Sequence, residues 1–404
     1  MKKIISSINI TEPPVRFTDI LRSFIKEGFS KETYVEVFEK EFAKYIGVRH
    51  AFAVSSGRYA MQLILKSLNL DRGSEVIVPS YTFHQLPEII KRIGLKPVFV
   101  DIDTTTFNLD PEKVEEKITK NTRVILATHL FGLPCDMSRI KRIAKKYGLY
   151  VIEDCAHSLG SEFKGKKVGS IGDAGYFSLG ITKQINTFGG GVITTDSDEL
   201  ANKMRREISK MQSSTVGLLR KILAGYIAHF ALNTKINYLT LSLYKSNKLK
   251  EKIKTLYDRT HGSHSTKELR FTDLQAALGL KQLRKIDNTN IEMSRKVLLY
   301  IKLLKNVPGM TISKNFKDRK HSYYNFVVLL NEDASKLAEF LWKNKIFTPI
   351  RNDIMQNCTW ELPENYAATK KIIQNAIKLP LYQNINDKEI RNIANLIKSF
   401  QLQL

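Results

Sequence analysis

The sequence predicts an α/β protein, with a large domain on a mainly parallel sheet followed by a smaller C-terminal α/β domain. Three observations carry this expectation. Short apolar runs alternate with amphipathic helical patterns along the first half of the chain, as expected of strands joined by crossover helices. At 404 residues the chain exceeds what a single small core requires, so two domains are the default. The alternation then breaks at roughly 211–265 and a different pattern follows, which sets the domains at 1–285 and 286–404.

In chain order, strands are expected at Ala51–Val54, Glu75–Pro79, Pro97–Val100, Arg123–Thr128, Leu149–Asp154, Ala174–Leu179 and Gly191–Thr195. Helices are expected between several of them, among these Arg58–Leu68 and Ser138–Tyr147, the latter closed by Gly148. After the break, residues 271–288 read as one long helix. A strand over Ser322–Leu330 follows, then helices over Ala334–Asn344, Tyr366–Ile377 and Asp387–Ser399. Asn386 and Glu389 have capping-box spacing at the start of the last.

Lys and Arg number 64 against 40 Asp and Glu, a formal charge of +24. Nucleic acid, anionic lipid, an anionic small substrate or simply a lysine-rich surface are all compatible with it. Lysine is spread along the chain and no nucleic-acid motif appears, so no nucleic-acid partner is expected. Cys135, Cys155 and Cys358 are scattered, which disfavours a disulfide scaffold or a zinc site, and no metal is expected. Residues 1–14 contain no apolar core of signal-peptide length, and no run of 18 apolar residues occurs. A cytoplasmic protein is expected.

The most informative segment is 151–196. An apolar run ends in Asp154, small residues lead to Ser178, Lys183 follows, and Gly189–Gly191 come next. In open parallel sheets ligands bind at the carboxyl ends of strands, where Ser55–Gly57, Asp154 and Ser178 all fall. Ser56, Gly57 and Arg58 lie between a strand and a helix. That turn is either an ordinary cap or a phosphate site made from free N–H groups, a hydroxyl and a cation. Asp154 is either a cap or surface acid, or a carboxylate paired with a protonated ring nitrogen. Lys183 is the only charge between Asp173 and Asp196, and a lysine held away from water is a better nucleophile. The glycines would let backbone pass tightly around a cofactor. Phe83 is a ring-stacking residue or a core aromatic. His129 and His157 follow strand ends on the same rim, and His157 is the better cofactor contact.

The motifs FEKEFAKYIGVRHAFAVSSGRYAMQL, PSYTF, KPVFVDID, HLFG, IEDCAHS, KKVGSIGDAGYFS, TKQI, GGGVITTD, FTDLQAALGLKQL and LPLY run in order along most of the chain. In these it resembles the DegT/DnrJ/EryC1/StrS family of pyridoxal-phosphate-dependent sugar aminotransferases. The resemblance implies the aspartate-aminotransferase fold (PLP fold type I), pyridoxal 5'-phosphate as cofactor, and a homodimer. It makes Lys183 the Schiff-base lysine and Asp154 the acid on the pyridine nitrogen. His157 falls near the ring's phenolic oxygen, Phe83 on its stacking aromatic, and Gly57, Arg58 and Ser178 on its phosphate contacts. It implies amino transfer from an amino acid, usually glutamate, to a keto-sugar, nucleotide-linked in these relatives. A sugar dehydratase or lyase of the family and a non-catalytic regulatory protein are the alternatives. The dehydratases typically replace the lysine with histidine, whereas Lys183 is present here.

Two positions depart from the family pattern. Arg58 stands where Thr is common. Glu268 stands where Asn often reaches the partner subunit's phosphate, and an acid there would repel it. The segment 211–265 is also longer than expected, with 11 Lys/Arg against 3 Asp/Glu between Val216 and Arg270. It is expected to lie on an anionic membrane surface, cover the active site or extend a dimer contact.

Overall fold

The computed structural model describes residues 4–6, 33–212, 270–312, 316–351, 354 and 366–401, with a scatter of positions between 218 and 242. Its centre is a seven-stranded sheet. The strands are β1 (His50–Val54), β2 (Glu75–Pro79), β3 (Lys96–Val100), β4 (Thr122–Thr128), β5 (Tyr150–Asp154), β6 (Ala174–Ser178) and β7 (Gly191–Thr195). Their spatial order is β1-β7-β6-β5-β4-β2-β3. β7 runs antiparallel to both neighbours, and the other pairs are parallel. The seven expected strands are these seven, with ends within one residue.

Parallel strands bury both faces, which is why β2 (EVIVP) is apolar without alternation and buried throughout. One face packs against helices α2 (Gly57–Ser67) and α3 (Gln85–Arg92) through Met61, Ile64, Leu86 and Ile90. On the other side, α1 (Tyr34–Ile46) sets Phe38 and Phe42 against Phe177 and Phe271. Helix α4 (Met137–Tyr147) covers β4 and β5, and Gly148 closes it with φ 65°. In that left-handed conformation a side chain would be strained. Helix α5 (Asp198–Ser209) follows β7.

The second half corrects two expectations. The stretch 271–288 is not one helix. It holds α6 (Asp273–Leu283) and the start of α7 (Ile286–Leu304), with a break at Arg284 and Lys285. Neither proline nor glycine marks that break. The helix expected to Ile377 ends at Asn375, and Ala376–Leu379 is a strand. The small sheet is therefore β8 (Met310–Ile312), β9 (Phe326–Leu330) and β10 (Ala376–Leu379), antiparallel in the order β8-β9-β10. Helices α8 (Ser335–Lys343), α9 (Ala367–Asn375) and α10 (Asp387–Gln401) accompany it. The capping box of α10 is present, with Asn386 Oδ1 and Glu389 Oε2 each accepting the other's backbone N–H at 2.9 and 3.0 Å.

Most of 211–265 lies outside the described residues, as does Glu268. Of the positions described, Leu218, Ile222 and Tyr226 pack with Phe188, Leu274 and Leu278, while Leu223, Ile227 and Phe230 are exposed. No described helix is long and apolar enough to cross a membrane.

Candidate active site

The sheet brings the expected residues to one edge. Parallel register sets Thr128 opposite Asp154 and Asp154 opposite Tyr176. Asp154 is therefore enclosed between two strand ends and only 5% exposed. Its Oδ1 accepts the Ala156 N–H at 3.0 Å, and the Thr128 hydroxyl donates to Oδ2 at 3.5 Å. Burial pushes this carboxyl up from its ordinary range, because a desolvated negative charge is unfavourable. The Ala156 amide and the Lys183 charge pull it part of the way back.

At β1 the chain turns directly into α2. Ser56 caps that helix, its Oγ accepting the Tyr59 N–H at 3.1 Å. The cap uses the oxygen lone pair and leaves the hydroxyl as a donor. Gly57 is buried against the end of β6, and a Cβ there would lie 3.1 Å from Ser178 Cβ. The helix start and the Ser178 hydroxyl thus belong to one small volume. Arg58 is drawn sideways, donating through Nη1 to Gln85 Oε1.

Lys183 sits in the loop between β6 and β7. Side-chain amides fasten that loop. Gln184 accepts from Leu159 N–H at 2.9 Å and donates to Leu159 O and Asn290 Oδ1. Gln275 donates to Thr187 O and Gly189 O, and Gln282 bonds the N–H and carbonyl of Asn186. The lysine is half-buried, and its Nζ lies 5.1 Å from the Tyr324 ring centroid. The glycines after it answer to the chain's own packing. A Cβ on Gly190 would meet the Phe271 ring at 2.4 Å, and one on Gly191 would meet Gly57 N at 2.6 Å.

His157 is gripped between rings, with Phe131 at 6.2 Å and Tyr324 at 4.3 Å, both nearly parallel to it. Burial, and after it the charges of Lys183 and Lys378, hold the imidazole well below its usual pKa, so it is neutral at physiological pH. Phe83, half-buried, packs on the core cluster that contains Tyr176. His129 is a core histidine with both ring nitrogens partnered. Its Nδ1 accepts the Cys135 N–H, which places the proton on Nε2, within 3.0 Å of Glu153. Glu153, His129 and Cys155 bring ligand-type atoms within 4.8 Å of one another, but both imidazole nitrogens are already engaged. Burial alone would raise Glu153, yet the His129 contact and backbone N–H groups hold it below its ordinary range.

Four residues at this edge escaped the sequence reading: Thr128, Tyr176, Tyr324 and Lys378. Lys378 carried the one available signal, a lone cation inside the apolar run AIKLPLY.

A model of the DegT/DnrJ/EryC1/StrS aminotransferase family matches residues 16–398. The chain is 32% identical over 372 residues to MJ1066 of Methanocaldococcus jannaschii, covering 89% of this chain and 88% of that protein. It is 30% identical over 370 residues to the dTDP-3-amino-3,6-dideoxy-alpha-D-galactopyranose transaminase of Aneurinibacillus thermoaerophilus, covering 91% and 90%. Among solved structures, DesV of S. venezuelae matches with a TM-score of 0.74 at 25% identity, over 96% of this chain and 94% of that one.

Proposed function

The chain belongs to the DegT/DnrJ/EryC1/StrS aminotransferase family and is a pyridoxal-phosphate-dependent aminotransferase, and from that premise we propose that it moves an amino group from glutamate to the keto group of a nucleotide-linked sugar. The observation that carries the site assignment is the meeting of Asp154, the Gly57–Ser178 contact and Lys183 at one sheet edge. The residues fit the cofactor. A buried carboxylate raised by desolvation suits a cationic ring N–H, and the start of α2 with Ser178 suits a phosphate.

Bound pyridoxal phosphate supplies a carbonyl that exchanges the amino group and a ring that withdraws electrons. The chain's own residues do the rest. Asp154 holds the ring N–H. Ser56, Gly57, Arg58 and Ser178 hold the phosphate, with Arg58 steered by Gln85. Phe83 covers one ring face and excludes water. Neutral His157 hydrogen-bonds the ring oxygen. Lys183 Nζ would take and return the proton at the substrate carbon that bears the amino group. The name of the Aneurinibacillus relative supports a nucleotide-linked sugar. A cytoplasmic homodimer is part of the same reading.

The test is an absorbance spectrum of the cofactor-loaded protein before and after glutamate. Wild type is expected to show a band at the visible edge that glutamate shifts to shorter wavelength. Lys183→Ala is expected to lose both band and turnover, and retained turnover would refute the role.

A further inference from the structure

We propose that Lys378 receives a carboxylate of the substrate, an inference that rests on the aminotransferase reading above. Lys378 lies on β10, paired in register with Val327 of β9. Alternate residues of a strand face opposite sides. Ile377 and Leu379 join the core of the small sheet with α7 and α10. Ala376 and Val327 join the cluster on the other side, with Tyr81 and Phe131. Lys378 shares that second side by alternation. Phe131 stacks on His157, so this side of the small sheet faces the pocket of His157 and Lys183.

Among the described residues, no hydrogen-bond acceptor or carboxylate is paired with the Lys378 ammonium, and the electrostatic neighbour recorded for it is another cation, Lys183. Burial, and then the Lys183 charge, bring Lys378 down to about 8. Two ammonium groups thus face one pocket. The nearby acids are committed elsewhere, Glu153 to His129 and Asp154 to the ring nitrogen in the proposed function. Lys378 is half-buried, and a partly buried cation without a counter-ion is unfavourable; in this proposal the balancing negative charge comes with the ligand. The cofactor phosphate is not that charge, because its cradle lies at the ends of β1 and β6. A single lysine is a point charge suited to one compact anion, and a carboxylate matches it better than a diphosphate would.

The carboxylate has two possible sources, the amino donor or an acidic sugar. Both are probed on protein loaded with pyridoxal phosphate, using 2-oxoglutarate and D-glucuronate in calorimetric titrations at pH 7. The variants are Lys378→Met, Lys378→Gln and Lys378→Arg. The cofactor absorbance is read first, and its absence from wild type would overturn the aminotransferase reading rather than this one. With that absorbance intact, the two neutral variants are expected to bind one probe at least tenfold more weakly, and Lys378→Arg to recover most of the loss. A loss confined to 2-oxoglutarate assigns Lys378 to the donor, and one confined to glucuronate assigns it to the sugar. Undiminished binding of both probes by the neutral variants, or no binding of either by wild type, overturns the proposal.

Discussion

The Tyr324 ring lies 4.3 Å from the His157 imidazole and within 18° of parallel to it. The same ring has the Lys183 ammonium 5.1 Å from its centroid. One side chain of the second half of the protein therefore packs against two residues of the candidate site, the His157 ring and the Lys183 ammonium. A stack of this kind contributes about 0.5–1.5 kcal/mol beyond its buried area. Its greater effect here is to orient the imidazole, which Phe131 alone would hold loosely at 6.2 Å.

Tyr324→Leu is expected to lower kcat about tenfold while leaving cofactor uptake close to wild type, because it releases His157 and touches nothing in the phosphate cradle. Tyr324→Phe keeps the ring and loses only the 3.4 Å hydroxyl contact to Thr182, so it is expected to stay within about twofold of wild type. Steady-state kinetics on the pair decide it, and equal losses in both variants would show that the hydroxyl matters rather than the stack.

Asp154 gives a prediction in two parts. In the proposed function Asp154 holds the ring N–H, so in the loaded enzyme Asp154→Asn is expected to lower kcat at least ~100-fold. In protein stripped of cofactor the same change is expected to be neutral or stabilising as pH rises above the ordinary carboxylate value of 3.8. The sign follows from linkage. Burial raises the folded pKa of this acid above its ordinary 3.8, so the folded state holds the extra proton. Its contribution to stability is full below 3.8 and declines as pH rises through the raised folded value. Asparagine cannot lose that proton. Thermal unfolding of the stripped wild type and variant from pH 4 to 8 tests this, and a variant less stable throughout would contradict it.

Gly191→Ala tests the packing beneath the phosphate cradle. The new methyl would lie 2.6 Å from both Gly57 N and the Ser56 carbonyl carbon and 2.8 Å from Phe177 O. All three are backbone atoms, so no side chain can swing away. A destabilisation of about 1–3 kcal/mol is expected, with a weaker hold on pyridoxal phosphate as β1 and β6 are forced apart. Calorimetry and cofactor titration measure the two effects, and an unchanged Tm would mean the strand ends are more yielding than their spacing implies.

The large sheet was legible in the sequence because each parallel strand is a continuous apolar run bounded by turn residues. The meeting of Asp154, Ser178 and Lys183 was legible because they lie within thirty residues of one another. The rest depended on contacts between distant segments. In sequence, Ala368, Ile372 and Ala376 continue a spacing of four that a helix to Ile377 would share. Pairing with β9 decides the matter in favour of a strand, and no local signal reports that pairing. Tyr324 and Lys378 are ordinary residues in sequence, and only contacts with distant segments, Tyr324 with His157 and Lys378 with Val327, distinguish them in the fold. The break at Arg284–Lys285 likewise has no local signal, since neither residue disfavours a helix.

The loop that carries Lys183 is fastened to its surroundings by the carboxamides of Gln184, Gln275, Gln282 and Asn290. None of these groups gains or loses a proton in water, and none depends on an ion pair that salt would weaken. The mounting of the lysine is thus insensitive to acidity and ionic strength. Bends in a rate profile across neutral and mildly alkaline conditions then report titrating groups elsewhere in the protein, and not a loosening of the support beneath the lysine.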